Sequence, residues 1–202
     1  MAVRVLIACE FSGVVRDAFA ARGHDAWSCD LLPSETPGQH IEGDVLDVLE
    51  DGLDMMIAHP PCTYLCSSGL HWNKRRPERE EQTHEAMLFV LNLMGEGFIA
   101  HGINRIALEN PVGRISTAYR KPDQIIQPWQ FGHPESKATC LWLRGLPPLT
   151  ATNVLPEPPS GRWSNQTPSG QNKLGPSADR WKARSVTYSG IAAAMAAQWG
   201  AP

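Results

Sequence analysis

Cys62 follows His59-Pro60-Pro61 at the point where a short apolar run, 54–58, stops. Two successive prolines fix the backbone and remove its donors, so the thiol is held at the mouth of a sheet instead of being packed inside one. A cysteine in that place is a candidate nucleophile. Taken alone it also reads as a small buried hydrophobe. Cys62 and Cys66 lie near His59 and His71, which raises zinc, yet the spacing matches neither Cys-x-x-Cys nor a His-x-Glu deaminase signature, and no metal is expected. Glu109-Asn110-Pro111 closes a second apolar run, 105–108. If the two runs are neighbouring strands, the carboxyl lands beside the thiol, and the pair suits attack on an electron-poor ring assisted by an acid. Without Cys62, Glu109 is better read as a strand-end acid in an Asn-Pro turn.

A third group precedes these. Glu10-Phe11-Ser12-Gly13 links the run RVLIAC to VVRDAFAARG, whose apolar residues recur at helical spacing up to Gly23. Such a turn at a helix N-terminus is a common seat for a nucleotide-like ligand, and an ordinary strand-to-helix turn explains it equally. Asp30, ending a strand over 25–29, is placed to accept from ribose hydroxyls, and Asp44 to accept an exocyclic adenine amine; each is also a plausible solvated turn acid.

The elements that must position these groups alternate. Strands over 4–9, 25–29, 54–58 and 105–108 are interleaved with a helix up to Gly23 and a helix-compatible stretch over 79–100, and SGIAAAMAAQW (189–199) reads as a closing helix. Alternation implies a parallel, helix-covered sheet with its working residues at the strands' carboxyl ends. From Leu146 to Arg184 the chain turns Pro-, Gly-, Ser- and Asn-rich and reads as one extended surface loop inside a single domain, 1–202.

Composition sets the limits. Hydrophobic residues make up 42% and charged ones 19% of 202, which excludes a disordered or highly charged chain. No apolar run approaches membrane-spanning length, and five scattered cysteines fit reduced thiols better than a disulfide framework, so a cytoplasmic protein is expected. The net charge of −3 excludes a globally basic nucleic-acid binder, but the stretch from Arg144 to Arg184 has a surplus of four positive charges. Arg162, Lys173, Arg180, Lys182 and Arg184 there, with Lys74, Arg75 and Arg76 beside Trp72, are candidate phosphate contacts. Glutamates from Glu78 to Glu85 cancel the second cluster, so a solvated helix start is an equal reading of it.

The order Phe-Ser-Gly, strand-end Asp, Gly-Asp, Pro-Pro-Cys, Glu-Asn-Pro resembles the cytosine-5 DNA methyltransferase family. Phe131-Gly132-His133-Pro134-Glu135-Ser136-Lys137-Ala138-Thr139 resembles that family's block Tyr/Phe-Gly-x-Pro-Gln-x-Arg-x-Arg, so the similarity spans residues 4–145. The resemblance implies a Rossmann-like methyltransferase fold, α/β with a mostly parallel sheet flanked by helices. It implies S-adenosylmethionine as cofactor, held by Glu10, Phe11, Ser12, Gly13, Asp30, Asp44, Val45 and Pro60. The partner would be DNA, with a cytosine flipped out of the stack. Cys62 would add to C6, Glu109 would hydrogen-bond and protonate N3, Asn110 would shape the pocket, and Lys137 stands at the first Arg of the block. Glu135 replaces Gln, Thr139 replaces the second Arg, and Pro111 replaces Val. The 146–184 segment is a reduced target-recognition region, so recognition of a dinucleotide or of no sequence is expected from a monomer in a bacterial or phage-infected cell, as when a phage masks its genome. Methylation of a free pyrimidine nucleotide or RNA, and a non-catalytic binding protein, are the alternatives.

Overall fold

Alternate residues of a strand face opposite sides of its sheet, and here both sides are apolar. In the strands Arg4–Ala8 (β1) and Met55–Ala58 (β4), Val5, Ile7, Met55 and Ile57 face one core, while Leu6, Ala8, Met56 and Ala58 face the other. Near-continuous burial of this kind requires cover on both faces. The helices Val14–Ala20 (α1) and Ser189–Trp199 (α6) cover the first face with Val15, Phe19, Ile191, Met195 and Trp199; the helix Glu78–Met94 (α3) covers the second with Met87, Val90, Leu93 and Met94.

The computed structural model describes residues 1–48, 52–95, 102–175, 177 and 179–201. With Asp25–Asp30 (β2), His40–Glu42 (β3), Arg105–Pro111 (β5), Gln124–Ile126 (β6) and Thr139–Arg144 (β7), the strands form one seven-stranded sheet in the order β3-β2-β1-β4-β5-β7-β6. Every pairing from β3 to β5 is parallel, and β7 runs antiparallel to both its neighbours. The fold is thus α/β with a mostly parallel sheet flanked by helices, compatible with a Rossmann-like arrangement. Strand order reverses at β1 and β4, so their C-terminal connections diverge and open a crevice. No helix among the described residues is long and apolar enough to cross a membrane.

Several boundaries differ from expectation. The first helix stops at Ala20, because Gly23 adopts φ +82° three residues later. The 79–100 stretch is helical over Glu78–Met94, and 96–100 lie outside the described residues. β3 and β6, three residues each, carry too little pattern to show in the sequence. Short helices Ser67–Leu70 (α2) and Ile115–Ala118 (α4) follow the two Pro-bearing strand ends. The described residues of the 146–184 segment are irregular up to Asp179, and a helix, Arg180–Ser185 (α5), follows, which the Pro- and Gly-rich composition concealed.

Candidate active site

β4 and β5 are hydrogen-bonded neighbours in register Ala58↔Leu108, so His59-Pro60-Pro61-Cys62 and Glu109-Asn110-Pro111 leave the sheet side by side. The condition set by the sequence, that the two runs be neighbouring strands, is met. His59 Nδ1 lies 3.2 Å from Glu109 Oε2, with both side chains largely buried. Asn110 Nδ2 donates to the Pro60 carbonyl at 2.7 Å, locking the two loops together, while Asn110 Oδ1 and His59 Nε2 are buried without a partner. An unsatisfied buried acceptor and ring nitrogen at one strand end are costly unless something polar enters to meet them.

Burial drives the Glu109 carboxyl upward, but the His59 hydrogen bond and charge, with Lys137 nearby, outweigh it and hold Glu109 below the ordinary carboxylate range. A group with a depressed folded-state pKa stabilises the fold above its unfolded value and loses that contribution as pH falls through the folded one. The stability advantage of the native chain over Glu109→Gln is therefore expected to be largest near neutrality and to shrink below about pH 4. Denaturant titrations of both proteins across that range check the sign.

Cys62 is half-buried at the start of one turn, and its carbonyl accepts from Leu65 N and Cys66 N at 3.0 and 2.9 Å. Cys66, also half-buried, closes that turn, and its Sγ lies 3.2 Å from Ser68 Oγ. The Cys66 hydrogen bond, burial and the nearby Cys66 and Glu109 charges push the Cys62 thiol up, and the Arg184 cation partly opposes them. Among the described residues no three His, Cys, Asp or Glu side chains group as a metal site.

The turn after β1 is built differently from expectation. Cys9 takes φ +58°, Gly13 takes φ +76°, and Glu10 folds back onto the N-terminus of α1, accepting from Val15 N at 2.7 Å and Arg16 N at 3.2 Å. The free amides that would bind an anion are thus met by the chain's own carboxylate. Ser12 Oγ lies 3.4 Å from Glu10, and Phe11 is buried under Trp181 and Lys182.

Asp30, Asp44 and Val45 line a cavity of about 450 Å³ at the C-terminal ends of β1 and β2. Its wall is completed by Tyr64 and by Gln82, Glu85, Ala86 and Phe89 of α3, none of which is a candidate from the sequence. Only the packing of α3 over the sheet reveals them. Asp30 Oδ1 accepts from Leu32 N and Asp44 Oδ1 from Leu46 N, leaving each carboxylate a second oxygen; burial raises the Asp30 carboxyl against its backbone hydrogen bonds. Pro60 acts at one remove, through its carbonyl on Asn110, and its neighbour Pro61 touches the cavity.

The cations are partly spent inside the fold. Lys182 pairs with Glu35, Lys173 Nζ donates to the Ser164 carbonyl, and Arg162 donates to the Pro168 carbonyl. The guanidinium groups of Arg75 and Arg76 lie 5.5 and 5.7 Å from the Trp72 ring centre. Lys74 is exposed on the same turn, and Arg180 has its Nε buried without a partner. Lys137 Nζ holds the Arg184 carbonyl at 2.8 Å and sits 5.6 Å from the Tyr188 ring, while the Thr139 hydroxyl turns onto the Lys137 carbonyl. The one donor of the Thr139 side chain is therefore spent inside the chain, and the cation whose charge reaches the thiols is Arg184. The sequence offered no signal for this, because it depends on α5 crossing back over the strand ends. Compared with models of known protein families and with the sequences of characterised proteins, the chain matches none.

Proposed function

We propose that this chain transfers a methyl group from S-adenosylmethionine to C5 of cytosine in DNA, through a covalent adduct on Cys62. The observation that carries the proposal is the pairing of two features on one sheet edge. Cys62 and the His59–Glu109 pair leave adjacent strands, and beside them opens a cavity lined by apolar side chains and the acids Asp30, Asp44 and Glu85. Among the described residues no lysine or arginine lines that cavity, and Glu10 occupies the N-terminus of α1, which disfavours phosphates. A nucleoside carrying a positive centre fits such a lining. S-adenosylmethionine is that kind of ligand, and when bound it supplies an electrophilic methyl group.

The remaining chemistry belongs to the residues. C5 of cytosine is a poor nucleophile until a thiolate adds at C6. Cys62 is the thiol positioned to add. Asn110 Oδ1, buried and unpartnered, offers an acceptor for an exocyclic amine, and Glu109 faces the ring nitrogen beside it. His59 and Lys137 favour the ionised form of Glu109 before a substrate binds. A ring closing over it raises its proton affinity, so that the carboxylate takes a proton from the departing water and becomes the acid the addition needs. His59 then keeps the carboxyl oriented.

The test is incubation with S-adenosylmethionine and unmodified duplex DNA, digestion to nucleosides, and mass spectrometry for 5-methylcytosine. Product is expected on duplex DNA with little sequence preference. A free pyrimidine nucleotide as substrate is the second reading, favoured by the internal engagement of Lys182, Lys173 and Arg162. Salt separates the two. If Lys74, Arg75, Arg76 and Arg184 alone meet phosphates, DNA affinity is expected to fall about 100-fold between 50 and 200 mM salt, whereas nucleotide affinity should barely move.

A further inference from the structure

Resting on the reading of DNA as the substrate, we propose that a second cavity beside the thiols seats a phosphodiester of the target strand on Lys137, Lys173 and Arg184. Strand pairing puts this cavity at the working edge of the sheet. β7 begins at Thr139 opposite Pro111, so residues 135–138 reach the sheet at the end from which Glu109-Asn110-Pro111 leaves. Glu135 and Lys137 form one wall there, Lys173 comes from the turns over 163–174, Arg184 from α5 and Tyr188 from the link to α6. The space they enclose is about 450 Å³, as large as the cavity lined by Asp30 and Asp44.

The two cavities differ in sign. Among the described residues the first is lined by acids and no cation, and the second by three cations and one acid. That acid is engaged, since Glu135 Oε2 accepts from the Tyr188 hydroxyl at 2.5 Å. An ammonium carries three donors, and Lys137 and Lys173 each spend one, on the Arg184 carbonyl at 2.8 Å and the Ser164 carbonyl at 2.7 Å. Their remaining donors and the exposed Arg184 make a positive concavity, where low-dielectric walls concentrate the field. An anion suits it, and one close to the nucleophile, because the Arg184 charge reaches Cys62 and the Lys137 charge reaches Glu109. A cytosine attacked at C6 carries its sugar on N1, the adjoining ring atom, so a phosphate follows within one sugar of the point of attack. The same segment carries Arg162 and Arg180 outside the cavity wall, which suits a backbone that continues better than a phosphate that ends.

The seat is built before a ligand arrives. Ser164 N and Oγ both donate to the Pro134 carbonyl, at 2.9 and 2.6 Å. The Asn165 side chain pairs with the backbone N–H and carbonyl of Ser136 at 3.0 and 2.9 Å, and Lys173 N donates to the Asn165 carbonyl at 2.8 Å. The turns that bring Lys173 are thereby fixed to the stretch that carries Lys137, so little ordering is left for binding to supply.

Fluorescence anisotropy of a labelled duplex, titrated with the full chain between 50 and 200 mM salt, tests the seat without any turnover. Lys74, Arg75, Arg76 and Arg184 alone give a fall in affinity of about 100-fold; with Lys137 and Lys173 added, about 1000-fold or more is expected of the native chain. Lys173→Gln removes the charge but keeps a donor for the Ser164 carbonyl, so its log–log salt slope should be shallower by about one, with its thermal melt unchanged. Lys121→Gln is the control for net charge. β6 runs parallel to β5, and Lys121 precedes it at the opposite edge of the sheet, so this variant should keep the native slope. A native fall near 100-fold, a native slope in Lys173→Gln, or slopes lowered alike in both variants would overturn the proposal. So would dCMP binding that weakens in Lys173→Gln while duplex binding does not, which gives the cavity to the terminal phosphate of a free nucleotide. A native chain with the expected slopes that methylates nothing retires the methyl-transfer reading and leaves the phosphate seat standing; methylation of dCMP by a chain that binds no duplex does the reverse.

Discussion

Replacing Cys62 by alanine is expected to reduce methyl transfer by about 10⁴-fold or more, with little change in cofactor affinity. The thiol forms a bond that its neighbours are not set to form, because Cys66 is turned onto Ser68 and Glu109 is committed to His59. The side chain is only half-buried, so its truncation leaves the fold intact and the loss is chemical. A DNA duplex carrying 5-fluorocytosine separates this from a binding defect. Fluorine cannot leave C5 as a proton does, so the native chain should be trapped on the duplex while Cys62→Ala binds and releases it. Trapping by the alanine variant would place the nucleophile elsewhere, and Cys66 would be the group to examine.

The largest expected effect on stability lies at a residue with no part in the chemistry. Arg16 on α1 is 1% exposed, and its guanidinium meets Asp17, the hydroxyls of Ser28, Ser34 and Thr36, and the carbonyls of Thr36 and Pro37. It ties the helix to β2 and to the loop after Asp30, with Thr36 Oγ1 on Asp17 as a second link to that loop. Arg16→Met fills the space but strands those acceptors, at a cost of about 3–5 kcal/mol and a fall in Tm of roughly 10 °C or more. Arg16→Lys should recover little, since an ammonium lacks the planar fork that reaches so many partners at once. Thermal melts of both variants measure this. A loss below about 1 kcal/mol in the methionine variant would mean that the loop finds other donors. Gly13 and Gly38 belong to the same unit, because a Cβ on either would meet the Arg16 guanidinium within 2.5–2.6 Å.

Much of the architecture was legible because parallel strands buried on both faces advertise themselves as apolar runs. β1, β2, β4, β5 and α6 lie within a residue or two of their expected bounds, except that β5 continues to Pro111. Strand order was not legible, and with it went everything that depends on two strands being neighbours. The Cys62–Glu109 pairing was stated as a condition, and the register of β4 on β5 meets it. His59 was visible only as a possible metal ligand, since its partner lies 50 residues away. Glu10 was expected at a ligand and instead caps its own helix, because the turn at Cys9 and Gly13 curls the side chain back onto the amides. Arg184 was assigned to phosphates from its neighbours in sequence. Its place near the thiols follows from a helix hidden in a segment that otherwise reads as loop.

The position of α6 bears on the order in which this molecule comes into being. Its Ile191, Met195 and Trp199 close the face of the sheet that Val5, Ile7, Val15 and Phe19 have exposed from the first, and Arg105 reaches the Trp199 carbonyl to seal the junction. At about 5–20 residues per second, ribosomes take roughly 10–40 s to travel from α1 to α6. For all of that time the nascent chain carries an open hydrophobic face. Its folding is completed only after Trp199 has left the exit tunnel, and until then a chaperone that shields apolar surface has a substrate.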